Sequence, residues 1–171
     1  MLTRVKKQLK RIAWDSMGIL GVIMFIPIAQ AQQPIDITYC FSLTGTTVSE
    51  NEELRVNSFD FKGIALSNLA NKIFDNMTFH GVGVGRVVAG KRANYGFIKF
   101  MDPDGDFVVT ENLSTLDDQK EATWKFLQGT GKWKGIEGGG KLSFAASGRP
   151  ISPGSSQACI RMTGTFELPK K

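Results

Sequence analysis

Few side chains in this chain of 171 residues have the chemistry for catalysis, and they are scattered. Its single histidine, His80, would have to be the base of any nucleophile–base scheme, and such schemes place that base beside a Ser or Cys. It lies in an extended stretch, on the parity opposite Phe79, so a surface role competes with a functional one. Asp60 and Glu121 each stand beside aromatic residues. A carboxyl buried against a ring would titrate high and could act as an acid; the alternative is a strand-end acid in water. Asp102, Asp104 and Asp106 invite a calcium loop, but the twelfth position of such a loop, where a Glu is needed, is Leu113. Asp102-Pro-Asp-Gly105 reads instead as a turn. One His and two distant Cys do not have the spacing of a zinc site, and no metal or cofactor is expected. No G-x-S-x-G elbow is present, so no catalytic residue can be assigned.

Two glycine strings could cradle phosphates. Gly81-Val-Gly-Val-Gly85 has Arg86 where the dinucleotide fingerprint needs its last glycine, and no strong helix follows. Glycines there let a strand bend or approach another backbone. Gly129-Thr-Gly-Lys-Trp-Lys-Gly-Ile-Glu-Gly-Gly-Gly140 lies between extended runs with Trp124 and Phe126 before it and Leu142 and Phe144 after. With no helix N-terminus to receive an anion, it reads as a turn between two strands.

The elements that position these residues are strands. Ile37, Tyr39, Phe41 and Leu43 alternate with polar neighbours, as do Ile160, Met162, Gly164 and Phe166 near the end, the period-2 signature of a half-buried strand. In the second run Leu54 and Val56 have the opposite parity to Phe59 and Phe61, which predicts a bulge or break near Asn57-Ser58. Residues 67–75 are the one plausible helical segment, capped by Ser67; a short helix or an irregular crossover is expected. Residues 94–101 carry apolar groups on both parities, expected to be buried on both faces or to meet a partner.

Residues 1–31 read as a secretory signal: five basic residues, an apolar run from Met17 to Ala29, and Ala29-Gln30-Ala31 as a cleavage site. An uncleaved membrane anchor is the alternative, although the apolar run is shorter than the ~20 residues that span a bilayer. Cleavage leaves residues 32–171 as one domain, exported to the periplasm or secreted, with no membrane association thereafter. The full chain carries a net charge of +5, but residues 32–171 hold 16 basic and 15 acidic residues, scattered. This argues against a nucleic-acid partner. Asn76-Met-Thr and Asn112-Leu-Ser match the glycosylation sequon.

Cys40 and Cys159 fall in the first and last strands on the same class of face. In a closed antiparallel barrel those strands are neighbours, so a disulfide across the seam is expected, with two free thiols as the alternative.

From residue 94 to 168 the order is an Asp104-Gly105-Asp106 turn, a strand, Gly-Thr-Gly-Lys-Trp-Lys-Gly-Ile, Gly-Gly-Gly, and a closing strand with Gly164-Thr165-Phe166. This resembles the later hairpin of the allene oxide cyclase-like and dirigent-like β-barrels. The resemblance implies an all-β fold, a closed antiparallel eight-stranded barrel of calycin type with at most one short helix. It also implies an apolar cavity and frequent oligomers. It carries over no functional residue. The expected function is non-catalytic binding of a small hydrophobic ligand or a partner protein, with Tyr39, Phe41, Tyr95, Phe97, Trp124 and Phe126 as candidate ligand-binding residues. Plain core packing is the competing role for each of the six. Two rivals are a cyclase or isomerase that acts by cavity shape and a structural subunit of a homo-oligomer.

Overall fold

The computed structural model describes residues 32–51, 53–116 and 121–170. The signal and cleavage site expected over residues 1–31 lie outside the described residues. Eight antiparallel strands follow one another in the barrel in chain order: β1 (Gln33–Glu50), β2 (Leu54–Ser67), β3 (Met77–Val88), β4 (Lys91–Met101), β5 (Phe107–Ser114), β6 (Ala122–Gly129), β7 (Glu137–Ser147) and β8 (Ser155–Glu167). β8 pairs with β1 from Gln33↔Phe166 to Thr44↔Ser155, so the sheet closes and neither end strand is a free edge. The expected fold is the observed one. Cys40 and Cys159 stand directly opposite in that seam and are joined by a disulfide across 119 residues of sequence. Asp36 braces the same seam, accepting from Arg161 Nε at 2.9 Å and Nη2 at 2.5 Å.

Alternation sends one parity of each strand inward. On β1 these are Ile35, Ile37 and Tyr39, all buried, then Phe41 and Leu43, partly buried. The parity change expected in β2 is resolved otherwise than by a break at Asn57-Ser58. β2 runs unbroken and the irregularity lies opposite, between Thr47 and Ser49 of β1. Arg55 and Asn57 therefore share the inward parity of Phe59 and Phe61, and Leu54 and Val56 face out.

The β3 glycines have a cross-strand purpose. Gly81 and Gly83 oppose Phe61 and Phe59, and a Cβ on either would stand within 2.2 and 2.5 Å of the facing ring. Real Cβ contacts are never that short, so each ring lies over bare backbone. The glycines therefore seat two aromatic rings, and Gly83 also admits the backbone carbonyl of Tyr95, 2.6 Å from where its Cβ would be.

Three connections close one end of the barrel. The first, between β2 and β3, forms no helix: Lys72, Phe74 and Asn76 all have positive φ, at 52°, 58° and 52°. That backbone is left-handed and cannot continue a right-handed helix. It drives the Phe74 ring into the barrel end, stacked on Trp133 at 4.5 Å between centroids and edge-on to Phe166 at 5.4 Å. Trp133 belongs to the second connection, a single 3-10 turn (Gly131–Trp133).

The third connection, the Asp102–Asp106 turn, receives that turn. Asp102 Oδ1 accepts from the backbone N–H of Asp104 and Asp106 at 2.9 and 3.1 Å, and Oδ2 accepts from Trp133 Nε1 at 2.8 Å. Lys132 Nζ lies 2.8 Å from Asp102 and 2.6 Å from Asp104. Gly131, at φ 48°, packs so close to the Asp106 carboxylate that a side chain would overlap it. The Gly-Thr-Gly-Lys-Trp string is thus a plug, latched to an acidic turn. Above it Met77, Phe79, Phe100, Val108, Trp124, Phe126, Met162 and Phe166 fill that half of the barrel.

Candidate functional site

The other half is not filled. A cavity of about 700 Å³ opens between the turns at the opposite end. Its floor is aromatic and aliphatic: Tyr39, Phe41, Phe59, Phe61, Leu142 and Ile160. Its walls are mixed. On the β1, β7 and β8 side Leu43, Phe144 and Ala158 stand among the hydroxyls of Thr47, Ser143, Ser155 and Ser156; the β2, β4 and β5 side carries the carboxamides of Asn57, Asn94 and Asn112, with Ser114. Arg55 and Arg92 stand at the mouth. The pairing ladder explains this layering. Arg55–Val87–Arg92 form one inward row across β2, β3 and β4, Asn57–Gly85–Asn94–Ser114 the next, and Phe59–Gly83–Gly96–Asn112 the third.

At the floor, Tyr39 is 3% exposed and packs edge-on against Phe79 and Phe100. Its hydroxyl makes no hydrogen bond among the described residues. Burial pushes the phenol well above its ordinary pKa, so it stays a protonated donor at the cavity boundary.

The six candidate residues separate into three groups. Tyr39 and Phe41 line the cavity. Trp124 and Phe126 point inward but belong to the filled half, ring against ring at 5.0 Å, with Trp124 Nε1 donating to the Thr163 carbonyl at 3.0 Å. Tyr95 and Phe97 are on the outer wall, 40% and 37% exposed, which corrects their placement inside the barrel. Tyr95 donates its hydroxyl to Glu111 at 2.7 Å, and Glu111 also pairs with Lys125 at 2.6 Å. Lys125 first, then Tyr95, holds the Glu111 carboxyl below its ordinary range.

The polar residues of the mouth and wall escaped the sequence reading because asparagines and arginines in a strand look like solvent-facing residues. The signal that finds them is parity: Arg55 and Asn57 are in step with Phe59 and Phe61, and Arg92 and Asn94 with Ile98 and Phe100.

The titratable groups that could do chemistry lie elsewhere. His80 and Asp60 form a pair on the outer wall, Nε2 to Oδ2 2.5 Å, each about half exposed. His80 holds the Asp60 carboxyl below its ordinary pKa, the reverse of a buried acid. Glu121 pairs with Lys141 at the surface. A second, more open groove runs over the outside of the seam, above the disulfide and between Ile64, Leu66 and Gly148. It is a surface furrow, with neither the aromatic floor nor the layered walls of the interior.

No family model matches the chain, and no curated protein does. Among solved structures the chain is similar to a dirigent protein, a pterocarpan synthase, at 9% sequence identity and a TM-score of 0.48, over 82% of this chain and 93% of that one. The closed eight-stranded antiparallel barrel expected from the sequence rests on the strand ladder itself.

Proposed function

We propose that this protein is a non-catalytic binder of a small apolar ligand, held in the open half of the barrel. One observation carries the reading: the barrel is packed solid at the latched end, whereas about 700 Å³ is left at the other above an aromatic floor. Ligand pockets are typically of this size and composition, apolar with a few placed polar groups. An eight-stranded barrel is just wide enough either to fill itself or to hold one small ligand; here the two halves do one each. The Cys40–Cys159 disulfide supports the reading that the protein is exported and works in an oxidising compartment.

Native mass spectrometry of the protein purified from its own host tests this. A co-purifying apolar mass, lost on mild organic extraction, is expected. An apo mass throughout, together with no uptake of added apolar compounds, would sink the proposal. The cyclase or isomerase alternative uses the same cavity, with the Tyr39 hydroxyl as a protonated donor at its floor, and is distinguished by whether a bound compound is released chemically unchanged.

A second reading concerns the outer wall. Val82 faces Phe97 across β3 and β4, and Val84 and Leu113 flank Tyr95; all five are more than a third exposed. Clustered exposed apolar groups mark contact surfaces, and this stripe supports a homo-oligomer. Concentration-dependent sedimentation decides it: a strict monomer at high concentration rules it out.

A further inference from the structure

The geometry points to a head-group site at the barrel mouth. Resting on the cavity reading above, we propose that Arg92, with Arg55, Asn57 and Asn94, holds the carboxylate of an amphipathic ligand whose apolar body fills the cavity below. Three observations converge on it.

The first is charge. Two arginines stand at the mouth, and no Asp or Glu lines the cavity among the described residues. Arg55 is paired with Glu50. Arg92 makes no ion pair or hydrogen bond among the described residues. The two occupy one inward row separated by the single strand β3. Their Cα atoms are therefore about 10 Å apart, a gap that two long side chains can close. Guanidinium groups grip planar oxyanions through paired donors, which is why arginine recurs where carboxylates are recognised.

The second is the asparagine layer directly beneath. Asn57 and Asn94 flank Gly85 in the next row. Their Oδ1 atoms lie 3.0 and 2.7 Å from where a Gly85 Cβ would be, so both carboxamides converge on the space the glycine leaves. Neither carboxamide has a hydrogen-bond partner among the described residues. A ligand placing its head group at Arg92 would pass between them.

The third is the gradient. From mouth to floor the inward rows run from arginine, through carboxamide, to Phe59 and Phe61. Apolar body and charged head of one molecule match that order in only one orientation, body first. A wholly apolar ligand would leave the carboxamide layer desolvated without partners, which is unfavourable.

The test uses the full-length protein with two probes of equal chain length, dodecanoate and dodecanol, below their aggregation limits, followed by titration calorimetry. Dodecanoate is expected to bind at least tenfold tighter, because hydrogen bonds to charged groups are roughly twice as strong as neutral ones. The Arg92→Gln variant is expected to remove that preference, so that dodecanoate and dodecanol bind it within about twofold of each other. Raising the salt concentration weakens dodecanoate only. Equal affinities in the wild type, or a preference that survives Arg92→Gln, overturn the head-group site and leave the cavity reading standing. Binding of neither probe overturns both.

Discussion

Trp133 donates its indole N–H to the buried carboxylate of Asp102 at 2.8 Å, which pins the glycine-rich connection between β6 and β7 into the end of the barrel. The same carboxylate accepts two backbone N–H bonds and meets Lys132. Burial alone would raise its pKa, but the bonds from Lys132 and Trp133 outweigh burial and hold it below the ordinary value. Replacing Asp102 with Asn keeps the shape and removes the charge. Loss of stability by about 2–3 kcal/mol is expected, the cost of weakening hydrogen bonds to a charged acceptor. A depressed folded-state pKa contributes stability that is complete above the unfolded value, near 3.9, and is lost as pH falls through the folded one. Urea unfolding should therefore show the wild-type advantage over Asp102→Asn at pH 7 and its shrinkage by pH 2.5. An advantage independent of pH would mean that the carboxylate charge is not what holds the plug.

The disulfide closes a loop of 119 residues. In the loop-entropy picture a closure of that length stabilises by about 4–5 kcal/mol. The double substitution Cys40→Ser/Cys159→Ser should lower the denaturation midpoint accordingly while the far-ultraviolet spectrum stays that of a β-barrel, because the backbone ladder of β1 and β8 persists without it. Loss of the β spectrum altogether would show that the seam depends on the bond.

Period-2 alternation made the strands, their closure and the seam disulfide legible, since parity fixes which residues share a face and both cysteines fell on the outer one. Parity could not decide residues 94–101, where Tyr95 and Phe97 are as apolar as Ile98 and Phe100. Only the ladder separates the outward pair from the inward one. Of the two outcomes expected over 67–75, the irregular crossover formed and the short helix did not, because tertiary bonding overrode local preference. The Ser67 backbone N–H donates to Asp75 at 2.8 Å and Phe74 is drawn onto Trp133. Which end is open was beyond reach, because Phe74 and Trp133, which close the other end, come from connections whose patterns carry no strand period.

Gly83 seats the Phe59 ring. Gly83→Val introduces a branched side chain where a Cβ would already lie 2.5 Å from that ring and 2.6 Å from the Tyr95 carbonyl. A loss of about 2–3 kcal/mol is expected from overpacking. The double variant with Phe59→Ala should recover part of it, measured by thermal unfolding. No recovery would mean that the backbone contact, and not the ring, sets the requirement for glycine.

His80 and Asp60 form an exposed pair that takes no part in ligand binding in this account. Removing the imidazole with His80→Ala should move the Asp60 carboxyl back up toward its ordinary value, because His80 is the largest cause of its depression. Carboxyl carbon shifts followed by NMR through acid titration read this directly. Affinity for an apolar probe should not change; a clear loss would relocate the functional site to the outer wall.

The central claim is that the open half of the barrel binds an apolar molecule, and fluorescence titration with the neutral probe N-phenyl-1-naphthylamine tests it most directly. Ala158 lines that cavity and Phe97 does not. Saturable one-to-one binding is expected in the wild type, retained in Phe97→Ser, and reduced at least tenfold in folded Ala158→Phe, whose ring would occupy the space. Saturable binding that Ala158→Phe leaves intact, or that Phe97→Ser abolishes, would contradict the account.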